Sequence, residues 1–308
     1  MNLPATGSIS ITLKELFTKT RVNFRPDLTE DTFRLNGRKA GETETRRVGN
    51  FLDLIRKLSG QALFADVVSE NNYPTGAGLA SSASGFAALS LAACSALNLK
   101  LSPSRLSVVA RQGSGSAARS IFGGFVEMKA GERPDGSDAV AVQIAAEDHF
   151  PIEVLVAITT REAKKIGSTE GMELTKKTSP YYPAWVQSCR SDLEEMRKAI
   201  LQRDFRKLGE ISENSSLKMH ALIMSTKPAI LYWNPTTIEI IHTVWEMRKN
   251  GIEAYVSIDA GPQVKILSLP ENSWRVWDNI INIRGVERVI QTGLGPGARL
   301  TGAESNES

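Results

Sequence analysis

The sequence is poor in the residues that metal and redox chemistry need. Its only two cysteines, Cys94 and Cys189, lie far apart and in no metal-binding or redox spacing. That excludes a disulfide scaffold and points to a reduced compartment, the cytoplasm. The three histidines, His149, His220 and His242, form neither an HxxxH nor an HxH pattern, which argues against a zinc hydrolase. Long apolar runs are absent as well. The stretch from Gly85 to Leu97 is interrupted by Ser90 and Ser95 and falls short of the about 20 residues that cross a bilayer. No basic, apolar leader opens the sequence, so export is not expected. At 308 residues, 41% hydrophobic and 23% charged, the chain can bury a sizeable core, and neither extended disorder nor a collagen-like repeat fits.

A further scarcity is local. Between Glu70 and Glu127 lie 56 residues without a single Asp or Glu, where the chain's proportion of 34 acids in 308 residues would place about six. The same window holds Lys100, Arg105, Arg111 and Arg119. A buried apolar helix accounts for its middle, whereas the Gly/Ser-rich loops at its ends read as an anion site. The net charge of +3 is too small to indicate a nucleic-acid partner, and no membrane partner is expected.

What is present reads as α+β in two halves. Ser8–Leu13 and the stretch around Arg21–Phe24 alternate like strands, and Asn36-Gly37 marks a hairpin turn after Thr32–Leu35. Val48, Phe51, Leu52, Ile55 and Leu58 repeat at helical spacing, with Gly60 as the stop. A buried strand over Ala65–Ser69 precedes an Ala/Leu/Ser helix running to about Leu97, and Ser102-Pro103 opens another helix. The polar stretch near Glu147-Asp148 is the expected boundary between residues 1–148 and 149–308. Beyond it the pattern predicts a strand over 154–158, helices over 183–225 and 236–249, strands 252–258 and 263–268, a helix near 271–282 and a strand over 286–292.

Three motifs carry chemistry. In Pro74-Thr75-Gly76-Ala77-Gly78-Leu79-Ala80-Ser81-Ser82-Ala83-Ser84-Gly85, a strand runs through glycines into a helix start rich in hydroxyls. Small residues let backbone N–H groups close on a polyphosphate at a helix N-terminus, and Ser81 and Ser82 suit phosphate oxygens or a nucleotide-bound magnesium. The segment lacks the lysine of a Walker loop and the third glycine of a dinucleotide fold. Gly113-Ser114-Gly115-Ser116-Ala117-Ala118-Arg119-Ser120 is a second such loop, whose forked guanidinium suits a carboxylate or phosphate. Asp259, ending an apolar strand before Ala260-Gly261-Pro262, suits either a base or a local turn bond. Ser168-Thr169-Glu170-Gly171-Met172 reads as a helix start capped by a hydroxyl, and Tyr181-Tyr182-Pro183-Trp185 as domain packing.

These segments, from Asn71-Asn72-Tyr73-Pro74 through Asp259-Ala260-Gly261-Pro262, resemble the GHMP kinase superfamily in the version found in diphosphomevalonate decarboxylases. Asn2-Leu3-Pro4, Ser8-Ile9-Ser10 and Arg46-Arg47 fit the same pattern, so the likeness runs from residue 2 to about 297 in the same order. The resemblance implies two lobes with a deep cleft, ATP with magnesium, a phosphorylated mevalonate as substrate, and a homodimer as in many relatives. It implies Asp259 and Arg119 as catalytic. Asn2, Arg47, Ser114, Gly115, Ser116, Ala117, Ala118, Ser168, Thr169 and Met172 would join Arg119 on the substrate. Asn71, Asn72, Pro74, Gly76, Gly78, Leu79, Ala80, Ser81, Ser82 and Ser84 would hold the nucleotide, with Ser82 toward its magnesium. The number of substrate phosphates is left open, and with it a kinase or decarboxylase of mevalonate or monophosphomevalonate. In the resembling family a strand and a lysine-bearing turn precede the Asn-Leu-Pro segment. A form without them is expected to be less soluble and less active, down to a nucleotide-binding relic.

Overall fold

The computed structural model describes residues 2–73, 81–162 and 164–302. The first half contains β1 (Ser8–Ile11), β2 (Thr18–Arg25), β3 (Thr32–Leu35), β4 (Arg38–Lys39), α1 (Glu42–Ser59), β5 (Phe64–Asn71), α2 (Ser81–Ala96), α3 (Pro103–Gly113), β6 (Phe125–Met128) and β7 (Ala141–Ala145). A short 3-10 helix, Gly115–Ile121, follows α3. The second half contains β8 (Glu153–Ile158), α4 (Ser168–Thr178), α5 (Tyr182–Gln202), α6 (Phe205–Met224), α7 (Pro235–Lys249), β9 (Ala254–Ser257), β10 (Val264–Ser268), α8 (Pro270–Ile281) and β11 (Arg288–Gly293). The strands form three sheets, ordered β1-β6-β7, β2-β5-β3-β4 and β11-β8-β10-β9. β3 runs parallel to β5, and the other pairings within the sheets are antiparallel.

Local chemistry explains most boundaries. Asn36 and Gly37 both take left-handed φ, 51° and 76°, as the tight turn between β3 and β4 requires. α1 stops at Gly60, whose φ of 71° costs a glycine little. Ser102 caps α3, accepting from Arg105 N at 3.4 Å, with Pro103 in the first turn. Beyond its hydroxyl-rich first turn α2 is built mostly of small and apolar residues and is largely enclosed, between β2, α3 and the 3-10 helix.

Two cores follow from the halves, and a third joins them. Phe51, Leu52 and Ile55 of α1 pack with Val67 of β5 and Phe86 and Leu89 of α2. In the second half β8 buries both faces: Leu155 and Ala157 meet α7 and α8, while Val154 and Val156 face the opposite side. There they share a core with Phe205 and Leu208 of α6 and with Ile9, Ile11 and Phe125 of the first half. A pair between Arg197 Nε of α5 and Glu127 Oε2 of β6, 2.7 Å, also joins the halves. After β11 the chain returns to the first half: Gly124 N donates to Gly295 O (3.0 Å) and Ala298 N to Ser120 O (3.2 Å).

Two expectations need correction. The hydroxyl of Ser168 does not cap α4: the capping position is Gly167, and Ser168 Oγ instead accepts from Lys164 Nζ at 2.6 Å. The aromatic cluster before α5 is not domain packing. Tyr181 is 62% exposed, and the Tyr182 and Trp185 rings, 5.8 Å apart, line a large cavity. Among the described residues no helix is long and apolar enough to cross a membrane.

Candidate active site

That cavity, about 1110 Å3, is walled by both halves. One wall carries Asn2, Arg47, Ser114, Gly115 and Arg119, and the other carries Thr169, Met172, Ser216 and Asp259 with Tyr182 and Trp185 of α5. Gln112, Gly113, Ser114, Gly115 and Arg119 thus face one space with Asp259, which lies in the other half of the chain.

The first wall presents cations and hydroxyls. Arg119 is held to β1 by both arms, Nε donating to Ser10 Oγ (2.9 Å) and NH1 to Ser8 Oγ (2.6 Å). Burial lowers its affinity for its proton and Asp259 opposes that, but a guanidinium starts high enough to stay charged. Arg47 lies over the Phe86 ring at 4.7 Å and donates to Gly113 O at 2.9 Å, so it bridges α1, α2 and the glycine loop. Gly113 must be bare, because a Cβ there would sit 2.1 Å from the Phe86 ring. That close approach brings Ser114 Oγ to 3.1 Å from Ser82 Oγ, with Ser116 Oγ a further 3.3 Å along. Asn2 Nδ2 ties the early chain to the end of α3 through Arg111 O and Gln112 O, at 3.1 and 3.0 Å.

Not every sequence candidate reaches this cavity. Ala117 and Ala118 are fully buried in core clusters, so only their backbone could meet a ligand. Asn71, Ser81 and Ser82 line a smaller neighbouring cavity of about 150 Å3, together with Arg47. Ser84 Oγ lies 2.7 Å from Thr18 Oγ1 and 2.5 Å from Tyr73 Oη. Asn72 bonds the β1–β2 connection, its Oδ1 accepting from Phe17 N and its Nδ2 donating to Glu15 O. Pro74, Gly76, Gly78, Leu79 and Ala80 lie outside the described residues.

The second wall is built around Asp259. Its Oδ2 accepts from Lys265 Nζ at 2.8 Å, while Oδ1 accepts no hydrogen bond among the described residues. Lys265 holds the carboxyl below the usual carboxylate range, against the partial desolvation imposed by the cavity walls, with smaller help from Arg119 and His220. The side chain is 64% exposed because it faces the cavity. The backbone around it is clamped: Ser216 Oγ accepts from Ile258 N (2.8 Å) and donates to Ile258 O (3.0 Å), and His220 Nε2 lies 3.2 Å from the same carbonyl. Lys164 Nζ donates to Ala260 O at 2.8 Å. Lys164, Ser216, His220 and Lys265 were missed by sequence reasoning. Only Lys265 left a signal, since a strand–Gly-Pro–strand hairpin brings its two arms face to face.

Chemically, the arrangement offers an ionised carboxylate with one oxygen unengaged, opposite a fixed guanidinium and a run of hydroxyls. It can accept a proton from a hydroxyl while anions are held across the cavity. Among the described residues no cluster of three His, Cys, Asp or Glu side chains could hold a metal ion.

Comparisons with known proteins match both halves of the chain. Residues 1–141 match the diphosphomevalonate decarboxylase-like N-terminal domain, and residues 154–298 the mevalonate 5-diphosphate decarboxylase C-terminal domain. The diphosphomevalonate decarboxylase of Candida albicans is 36% identical over 98% of this chain and 92% of its own length. The mevalonate diphosphate decarboxylase structure from Staphylococcus aureus superposes with a TM-score of 0.90 at 36% identity, covering 96% of this chain and 89% of that one. A structure of MDDEF in complex with MVAPP, AMPPCP and magnesium gives 0.89 at 38% identity, covering 96% and 90%. With the mixed helix-and-sheet fold of those structures and both domain families matched in order, the chain belongs to the diphosphomevalonate decarboxylase family.

Proposed function

We propose that this enzyme uses ATP to decarboxylate (R)-5-diphosphomevalonate to isopentenyl diphosphate. The observation that carries the proposal is the position of Asp259. In a chain of this family, one ionised carboxylate with an unengaged oxygen faces Arg119 and the Ser114 loop across a single cavity.

The reaction has a physical logic these residues can serve. A tertiary hydroxide is a poor leaving group, so ATP converts it into a phosphate ester. When phosphate departs with the C–O bonding pair, the carbon–carboxylate bond breaks and its pair forms the alkene as carbon dioxide leaves. Asp259 Oδ1 orients the 3-hydroxyl and takes its proton. Arg119 holds the substrate carboxylate, already fixed by Ser8 and Ser10 so that little ordering remains to be done. Asn2, Arg47, Ser114, Gly115, Ser116, Ala117, Ala118, Ser168, Thr169 and Met172 surround the remaining polar and diphosphate groups.

ATP enters as its magnesium complex, with Asn71, Asn72 and the 74–84 segment around the phosphates. The residues present fit such a complex. The hydroxyls of Ser82, Ser114 and Ser116 stand in a row in the acid-free stretch of chain, offering neutral oxygen donors beside Arg47. Residues 1–148 would form the nucleotide-side lobe and 149–308 the lobe carrying Asp259. Both cysteines are free thiols, the state a reducing cytoplasm maintains, and the assembly we propose is the homodimer the resemblance implies.

A coupled assay tests the reading. Mevalonate, 5-phosphomevalonate and 5-diphosphomevalonate are supplied separately with ATP and magnesium, and ADP and carbon dioxide are counted. Equal yields from the diphosphate alone are expected. ADP without carbon dioxide would make the chain a kinase, carbon dioxide from the monophosphate would move the substrate, and neither product would leave a binding protein.

A further inference from the structure

Lys265 stands six residues beyond Asp259 on β10, directly opposite Ser257 of β9 and Val156 of β8. A central strand between two neighbours is the most rigid support this sheet offers. The lysine side chain is only 13% exposed, although an ammonium is costly to desolvate. Its Nζ reaches one carboxylate oxygen of Asp259 at 2.8 Å and leaves the other toward the cavity. Surface protection does not explain a lysine buried in mid-sheet, and solubility does not require it.

We infer that Lys265 is a positioning residue for Asp259: it pins Oδ2, which fixes the rotamer that aims Oδ1 at the substrate hydroxyl, and it keeps the carboxylate anionic. The inference rests on the reading of Asp259 as the group that receives the hydroxyl proton. Four groups from separate parts of the fold bear on the carboxylate. They are Lys265 on β10, Arg119 on the 3-10 helix, His220 on α6 and Lys164 in the segment before α4. His220 is held neutral by burial, and the Lys164 ammonium is committed to Ala260 O and Ser168 Oγ. Arg119 bears on Asp259 less than Lys265 does. Lys265 is therefore the group whose removal changes both the aim and the charge of Asp259.

The test measures kcat and KM for 5-diphosphomevalonate with magnesium ATP across pH, in the full chain. Lys265→Met is expected to lower kcat on the order of 10²-fold with a much smaller change in KM, and to move the acid limb of the profile to higher pH. Lys265→Arg, which keeps a cation on a side chain of similar reach, should return the limb toward its original position. Lys265→Gln, able to donate without charge, should leave it displaced, and the Arg–Gln contrast decides the matter if the methionine variant folds poorly. A Lys265→Met profile that superimposes on the parent, or identical limbs for Arg and Gln, overturns the inference. Asp259→Asn separates the two levels. If it stays active, the reading of Asp259 and the inference fall together; if it is inactive beside an unaltered Lys265→Met, the inference falls alone.

Discussion

Two acids serve strand β9, and they are treated in opposite ways. Glu213 on α6 accepts from Arg248 NH2 (2.6 Å) and NH1 (2.9 Å), Trp245 Nε1 (3.0 Å) and the backbone N of Val256 (2.9 Å), and its side chain is 11% exposed. Asp259, three residues past Val256, has one side-chain hydrogen-bond partner among the described residues and a 64% exposed side chain. A carboxylate whose acceptor sites are filled braces structure, because every lone pair is already matched. One with capacity to spare, on a clamped backbone, is available to a ligand. Filled acceptor sites and burial together separate a strut from a reactive group where charge alone does not.

The comparison breaks most readily at Asp259. Asp259→Asn should lower carbon dioxide release by about 10³-fold, leaving the melting temperature within a few degrees and ATP-analogue affinity within a few-fold. Near-parental turnover would turn Asp259 into a second strut. Glu213→Gln should do the reverse, costing about 3 kcal/mol in urea unfolding because Arg248 loses its counter-charge, while kcat of the folded fraction stays within about twofold. A variant as stable as the parent but slow would reverse the assignment.

His220 sharpens the picture behind Asp259. Burial among Tyr232 and Trp233 pulls its pKa down to about 4 from 6.5. The unfolded chain therefore takes up a proton that the folded chain refuses. This group's contribution is intact above pH 6.5 and is lost as pH falls through 4. The loss reaches about 3 kcal/mol. Urea midpoints should fall between pH 7.5 and 4.5 by more in the parent than in His220→Gln; equal falls would remove His220 from the account. Arg119→Lys should cost about tenfold in kcat/KM, since an ammonium cannot span Ser8, Ser10 and a ligand carboxylate at once. The smallest effect is expected at Ser82→Ala, a several-fold weaker ATP analogue by calorimetry with the affinity for diphosphomevalonate unchanged.

Local signals were legible in the sequence wherever one residue decides a backbone angle or a cap. Asn36-Gly37, Gly60 and Ser102-Pro103 each mark a boundary found within a residue or two in the fold. The two glycine loops and Asp259 were legible because composition there departs from the chain average. The supports of Asp259 were not. Ser216 and His220 reach Ile258 from about 40 positions earlier, and a buried serine and histidine on an amphipathic helix look like ordinary core residues. Ser168 misled because it lies one residue inside the helix, past the capping position at Gly167, and its hydroxyl accepts from Lys164 instead.

The return of the chain after β11 sets a timetable for the protein's birth. Gly124 waits for Gly295, Ser120 for Ala298, and Ala298 packs against the core that surrounds α2. A ribosome adding about 5–20 residues per second delivers those partners last, so the first half leaves the exit tunnel with an unsealed edge. The nascent chain must carry that edge through synthesis of the entire second half.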